Sequence, residues 1–505
     1  MSIFSKLHHV RYVVAVSLLL PLLSACSSSD SSEEIPLPLG DKYINLKVVV
    51  SSGSEGTMRG TPEGDEDGDG REAGQIRENT VTGVTLMLFV DENGINSTTP
   101  TTTKLAYSKY FPVTLVSRET AGTLYTSKTD EAVYTTGNQP FDVTGLDLTQ
   151  KYQALVVANL NLAGVLKATT TIETVRDYVW SQVYDGTGLG VNATNFVMSS
   201  ETSYELDFSN PTSYSKVGNK TTYNFDGIRI ERLAARVDFW TKTATYDTND
   251  GATPTPHDYA APGYVYKVWK TSDISDPTSD DRFVLTAVTP FNIYTDGEYL
   301  FKRTDDGTSA YLADESTTNY VIDPQRSTKT VASPTYYNNT LASLLTLDET
   351  YSTLANATGY YQSMATLHGS TTQKAGFTGD DNKDNFILCY PKENTLLPTS
   401  PLYYYATGVA IEGYYYVNND ASQTPTRYIY YGYLRHQGES DGPYTIKQRA
   451  EMTTTETSSS PAMNYGVVRN NIYRISIDKI NEKGTLELSI KVKKWDTFTH
   501  SWIYM

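Results

Sequence analysis

Cysteine is nearly missing from this chain: 505 residues carry two, Cys26 and Cys389. That excludes a disulfide-stapled fold. Cys389 lies in "FILCYP", which reads as an apolar strand with a small buried hydrophobe in it. Positive charge is short as well, with 41 Lys and Arg against 58 Asp and Glu, a net of −17. Removing residues 1–25 would take away Lys6 and Arg11 and deepen that deficit. Such a surface repels nucleic acid, so that partner class is set aside. The one markedly apolar run, Val13–Leu23, is too short to span a bilayer as a helix. Histidine is scarce: His8, His9, His257, His368, His436 and His500, none of them in HExxH. There is no Walker loop. The single G-x-S-x-G match, Gly438–Gly442, is followed by Pro443 and a strand-like "YTI", where a nucleophile elbow needs a helix. His436 and Glu439 have no third ligand nearby. The sequence is therefore read as a non-enzyme without cofactor or metal.

What is abundant is threonine and tyrosine, the latter present 40 times. Both favour strands, and helical runs of Lys and Glu are scarce, so a mainly antiparallel β protein is expected. The length allows roughly two to four domains. In "YINLKVVV", Ile44, Leu46, Val48 and Val50 fall on one face and Asn45, Lys47 and Val49 on the other. "VTGVTLMLFV" (81–90) reads as a strand. "GTLELSIKVKKW" alternates, with Leu486, Leu488, Ile490 and Val492 inward and Glu487, Ser489, Lys491 and Lys493 outward. A hairpin is expected over 400–436, its turn in "NNDASQTPT". Its tyrosines read as amphipathic covering for the core, with a carbohydrate platform as the sharper alternative. Helices are expected to be few. One is placed at 170–183, with a capping box from Thr170 to Glu173, and another near Leu341 to Leu354. The Thr-, Pro-, Asp- and Gly-rich stretch 241–335 reads as hairpins with long loops.

The amino-terminal region has its own logic. Lys6 and Arg11 precede the apolar run, which ends in Leu23-Ser24-Ala25-Cys26. That is the order of a secretory signal peptide, and the Cys placed directly after small residues resembles a lipobox, in which Cys26 would be lipidated. A polar, acidic tether follows it. The stretch "TMRGTPEGDEDGDGREAG" (57–74) suggests a calcium loop, with Asp65, Asp67, Asp69 and Gly70 in sequence. Position 12 of such a loop, however, is Ile76, and Glu72 and Glu78 are out of register. From Ser51 to Asn79 there is too little apolar side chain to offset ordering entropy. This stretch is expected to be an exposed linker open to proteases, with Arg59 followed by Gly60 the first candidate for cleavage, Arg71 the second and Arg77 the last.

Taken in order, the signal ending at Cys26, "INLKVVV", the polar segment with Arg59, "QALVVANL" (153–160), "RIERLAARVDF" (229–239), and "RNNIYRISI" (469–477) with "LELSIKVKKW" (486–495) resemble the FimA-like fimbrillins. These are the type V pilus subunits of Bacteroidales, and the resemblance is greatest to a short-fimbria stalk subunit. It implies a mainly β fold of two tandem antiparallel, β-sandwich-like (transthyretin-like) domains with few short helices. The divisions expected are a lipoprotein signal peptide (1–25), an acidic tether (26–41), an N-terminal β domain (42–226, with its first strand at 43–50 and the cleavage loop at 51–79), a C-terminal β domain (227–494) and a donor strand (495–505).

The resemblance also implies a sequence of events. The precursor is exported to the outer membrane as a lipoprotein with a palmitate-type lipid anchor on Cys26. An Arg-specific surface protease then cuts between Arg59 and Gly60, or at Arg71, and the strand bearing Ile44, Leu46, Val48 and Val50 leaves with the anchor. The groove is refilled by the C-terminal segment of another copy, or of an accessory, anchor or tip pilin. In the tail "WDTFTHSWIYM", Phe498, Trp502 and Tyr504 fall on one face, and Trp495 and Ile503 on the other. The implied role is a fimbrial stalk supporting cell adhesion, with no host ligand assigned. The alternative is a monomeric surface lipoprotein, or a tip adhesin, that binds glycan or host protein. Relative to the family pattern, this chain has extra length at 241–335 and 369–385, and a longer, more acidic linker.

Overall fold

The computed structural model describes residues 42–50, 71–73, 75–91, 103–116, 132–186, 190–242, 244–248, 259–270, 278–304, 321–332, 335–346, 354–356, 361–374, 384–435, 443–458 and 464–496. Alternating patterns become strands throughout, and the fold is mainly β, with four α-helices of four to six residues among the described residues. Two large sheets carry the architecture.

The first sheet has 11 strands. Along its main path it runs Thr103–Pro112, Gly83–Asp91, Lys151–Ala158, Met198–Ser200, Lys220–Arg232, Lys42–Val50, Ala132–Thr135 and Thr114–Leu115. The second has 13, from Arg71–Ala73 through Thr485–Asp496, Asn471–Asn481, Gly263–Trp269, Thr278–Phe291, Gly408–Tyr416 and Thr426–Tyr433 to Lys447–Gln448. The chain passes from one sheet to the other at Leu233–Ala235, between Lys220–Arg232 and Arg236–Trp240. The division expected at 226/227 falls inside the first of these two strands. Most ladders are antiparallel, as expected. The parallel ones join strands far apart in sequence: Lys42–Val50 on Lys220–Arg232, Arg236–Trp240 on Asn471–Asn481, Arg71–Ala73 on Thr485–Asp496, and Gly263–Trp269 on Asn471–Asn481 at the Trp269–Asn481 pair.

The expected hairpin is present, Gly408 opposing Tyr433 and Tyr415 opposing Thr426. Most of its tyrosines are built into the core, with Tyr414 and Tyr428 half-buried. Tyr415, Tyr416, Tyr430, Tyr431 and Tyr433 are all buried. The Tyr416 hydroxyl accepts from the Ala260 amide at 2.6 Å, and Tyr430 donates to the Gly484 carbonyl. Tyr403–Tyr405 lie on the short helix Leu402–Tyr405 instead of extending the strand.

The expected helix at 170–183 is only Ile172–Arg176. Its cap is Thr171, whose side chain accepts from the Thr174 amide at 3.1 Å, and not Thr170. The helix ends at Asp177 because Val179–Trp180 is drawn into a two-residue ladder with Glu298–Tyr299, a tertiary pairing that overrides the local stripe. Of the second expected helix, the described residues show Leu341–Leu344 and a 3-10 turn at Leu354–Asn356, and residues 347–353 lie outside them. Cys389 lies on the strand Asn385–Cys389, fully enclosed, and burial pushes its thiol pKa up.

Candidate functional site

The first strand, Lys42–Val50, lies in the interior of the first sheet, with partners along both edges. On one side it runs parallel to Lys220–Arg232. Lys42 to Leu46 face Thr221 to Phe225, and Val48 to Val50 face Ile228 to Ile230. Between them one residue, Lys47, stands opposite two, Asp226 and Gly227. This is a bulge, and Gly227 supplies its left-handed backbone at φ +81°. On the other side the strand is antiparallel to Ala132–Thr135 and to Gln139–Pro140. The gap between those two short strands is closed by one residue, Thr136, through its side chain and its main chain. The Leu46 amide donates to the Thr136 hydroxyl at 2.9 Å, and the Thr136 amide donates to the Leu46 carbonyl at 3.0 Å.

The alternation read from sequence sets which side chains go inward. Ile44, Leu46, Val48 and Val50 are all 0% exposed and belong to one core cluster with Phe111, Phe141, Phe208, Phe225 and Ile228. Each such side chain contributes on the order of 1.5–3 kcal/mol by leaving water. The opposite face is mixed, with Asn45 and Lys47 beside the buried Val49. Thr135 donates to the Asn45 side-chain oxygen at 2.8 Å, and Lys47 pairs with the exposed Asp226 at 3.0 Å. A strand held on both edges and by four enclosed side chains cannot leave without opening a slot: two unpaired edges flanking four apolar pockets.

Residues 51–70 follow, among them Arg59 and Gly60, which lie outside the described residues. The chain reappears on the other sheet. Arg71, Glu72 and Ala73 pair in parallel with Lys494, Trp495 and Asp496 at the end of the last strand. A tight 3-10 turn, Ile76–Glu78, comes next. Its Glu78 is fully buried, bonded to the Arg236 guanidinium at 3.1 Å and to the Tyr390 hydroxyl. Arg236 also grips Asp238 through two bonds, at 2.8 and 2.6 Å. Arg232 donates to the Glu78 carbonyl at 3.0 Å, to Asn470 at 2.8 Å and to Asn79. Two arginines of the "RIERLAARVDF" stretch, Arg232 and Arg236, are thus buried, one on each sheet, and converge on the turn that follows the linker.

A second polar seam lies alongside. Glu231 pairs with Lys302 at 2.7 Å, and Arg469 grips Glu393 while donating to the Tyr299 and Leu300 carbonyls. Burial lifts the Glu231 carboxyl to about 6, against the pull of Lys302 and Arg469. Burial also lifts Glu298 to about 8, with Glu393 adding to the rise and Arg469 opposing it. Glu231 and Arg469 lie in motifs singled out in the sequence, but their pairing carried no signal there, because the partners are far away along the chain.

Of the other expected site residues, Trp495 lies on the last strand Thr485–Asp496. Cys26, Phe498, Trp502, Ile503 and Tyr504 lie outside the described residues, as do Asp65, Asp67, Asp69 and Gly438–Gly442. Among the described residues, no three His, Cys, Asp or Glu side chains are grouped to hold a metal ion. One titratable cluster went unnoticed in the sequence. His368 lies flat on Tyr246 at 3.7 Å and bonds Asp384 at 2.9 Å, and Tyr264 bonds Asp384 as well.

No protein-family model matches the chain, and no curated protein matches it. Similar solved structures exist. The tip fimbrial protein Mfa3 of Porphyromonas gingivalis, with a C-terminal truncation, is 10% identical, with 90% of this chain and 100% of that one covered and a TM-score of 0.37. A fimbrilin (FimA) of the same organism is 12% identical, with 91% and 99% covered and a TM-score of 0.35. A fimbrial assembly protein of Parabacteroides distasonis is 11% identical, with 89% and 98% covered and a TM-score of 0.32.

Proposed function

We propose that this chain is a structural fimbrial subunit of the stalk, stored as a lipidated precursor on Cys26 and polymerised by protease-triggered strand exchange at the cell surface. One observation carries the reading. The first strand is an interior strand, and the chain runs from it into the rest of the fold through the acidic stretch that holds Arg59 and Gly60. A cut there converts a covalently held strand into a separable one. The slot it leaves has a fixed polarity, parallel to Lys220–Arg232 and antiparallel to Ala132–Thr135. A strand supplied by another copy enters by main-chain pairing and by placing alternate side chains in the pockets. The tail carrying Trp495, Phe498, Trp502, Ile503 and Tyr504 is the proposed donor. Assembly with accessory, anchor and tip subunits, and support of cell adhesion, belong to the same reading.

The test is amino-terminal sequencing of material sheared from the surface of cells, run unboiled beside a boiled sample. A start at Gly60 together with a ladder of multimers is the expected result. A blocked, lipidated Cys26 on a lone monomer would instead identify a surface-binding lipoprotein. Replacing Arg59→Ala together with Arg71→Ala is expected to leave a folded, lipidated, unpolymerised precursor. Normal filaments from that uncut variant would end the proposal.

A further inference from the structure

The residues just past the linker are tied to more of the molecule than their length suggests. Arg71–Ala73 is a hydrogen-bonded edge strand on the last strand. Gln75 then binds the Thr372 and Lys374 carbonyls at 3.2 and 2.7 Å, and its amide donates to the Glu78 carboxylate at 2.6 Å. The Arg77 guanidinium is spread over Gln75 at 2.6 Å, the Val191 carbonyl at 2.7 Å and the Thr372 carbonyl at 3.1 Å.

Glu78 and Asn79 reach the two walls of the first-strand slot. Arg232, at the end of one wall, donates to the Glu78 carbonyl at 3.0 Å and to Asn79. Tyr134, on the opposite wall and facing Val48, donates to the Asn79 carbonyl at 2.8 Å. None of these bonds passes through the first strand.

We propose that Arg71–Asn79 is a staple that outlasts processing. It protects Arg71 and Arg77 from cutting in the folded chain, and it bridges the two walls of the slot so that their spacing survives the loss of the strand between them. The inference rests on reading residues 51–79 as the processed stretch. A protease needs its target segment unpaired and extended. Cleavage at a hydrogen-bonded position therefore follows the population of a locally opened state. Arg71 is in a ladder and Arg77 is in a bonded turn, so cutting is confined to the amino-terminal side of residue 71. A pre-spaced slot also spares an incoming strand the cost of ordering its receptor.

The experiment is timed digestion of the whole native precursor with an arginine-specific protease, each new amino terminus being sequenced. Starts at Glu72 and Glu78 are expected to appear at least about tenfold more slowly than the first start. Tyr134→Phe removes one bridge with little change in packing, and Glu78→Gln removes the charge that Arg236 grips. Both are expected to accelerate the Glu78 start, Glu78→Gln more. Equal rates at all three arginines in the parent, or no change in either variant, would overturn the staple. A parent chain cut at Arg59 that stays monomeric sinks strand exchange and leaves the staple standing. A chain cut first at Arg71 sinks the staple whether or not it polymerises.

Discussion

The first and last strands carry nearly the same side-chain pattern and hold opposite places in the molecule. Ile44, Leu46, Val48 and Val50 alternate inward in one; Leu486, Leu488 and Ile490 do so in the other, all deeply buried. The first strand has neighbours along both edges but comes from the start of the fold and is followed by the acidic linker. The last strand is bound along its length by Asn471–Asn481. Its outer edge is met by residues 444–446 and by Arg71–Ala73 among the described residues. Burial alone therefore does not tell the two strands apart. The distinction lies in how the strand is joined to the rest and which sheet receives the chain afterwards.

That contrast can be broken directly. The largest effect is expected from Leu46→Asp, which places a charge among apolar side chains at the centre of the slot. The precursor should fail to fold, read as loss of soluble protein. Leu46→Ala and Leu488→Ala should each lower precursor stability by about 2–5 kcal/mol in chemical denaturation. After cutting and exchange, Leu46→Ala should have no effect on the polymer, because the residue has left, whereas Leu488→Ala should still destabilise it. If both mutations persist in the polymer, the two strands do not differ as argued.

Next comes the seam that joins the sheets. Arg236→Ala strands Glu78 and Asp238 in the interior and should cost about 3–5 kcal/mol, read as a lower denaturation midpoint. The pH dependence follows from Glu298 and Glu231, whose carboxyls are raised to about 8 and about 6 by burial from 4.5. The native state therefore holds protons that the unfolded chain releases. The contribution is fully present below 4.5 and is lost as pH rises through 6 and then 8. Stability should fall between pH 5 and 8, and Glu298→Gln should flatten the upper part of that slope. The smallest effect belongs to Lys47→Ala. Its partner Asp226 is well exposed, so less than about 1 kcal/mol is expected.

Much of this was legible in the sequence where a side-chain period decides the outcome. Residues 43–50 and the 484–495 strand are where alternation places them, and the hairpin expected over 400–436 is present as Gly408–Tyr416 and Thr426–Tyr433. Alternation fixes a face, but it says nothing about which strand lies alongside or in which direction it runs. The parallel pairing of residues 42–50 with 220–232 and of Arg71 with Lys494 was therefore invisible. Glu78 carried no signal either, since an acid in a polar stretch reads as solvated until Arg236 is brought to it from 158 positions away. The helix at 170–183 failed for a related reason: Val179–Trp180 answers to Glu298–Tyr299, not to its local period.

An ordinary ladder repeats every two residues, so a strand can slide by two and still present the same face. The slot around Lys42–Val50 has lost that translational symmetry. At a single rung, next to Leu46, one wall carries an extra residue at Asp226–Gly227, and the other replaces a ladder contact with the Thr136 hydroxyl. Both irregularities index the same position. A strand occupying the slot thus has one setting, as a key has one depth at which its notch meets the pin, and any occupant shifted by two residues meets the bulge with a rung that does not match it.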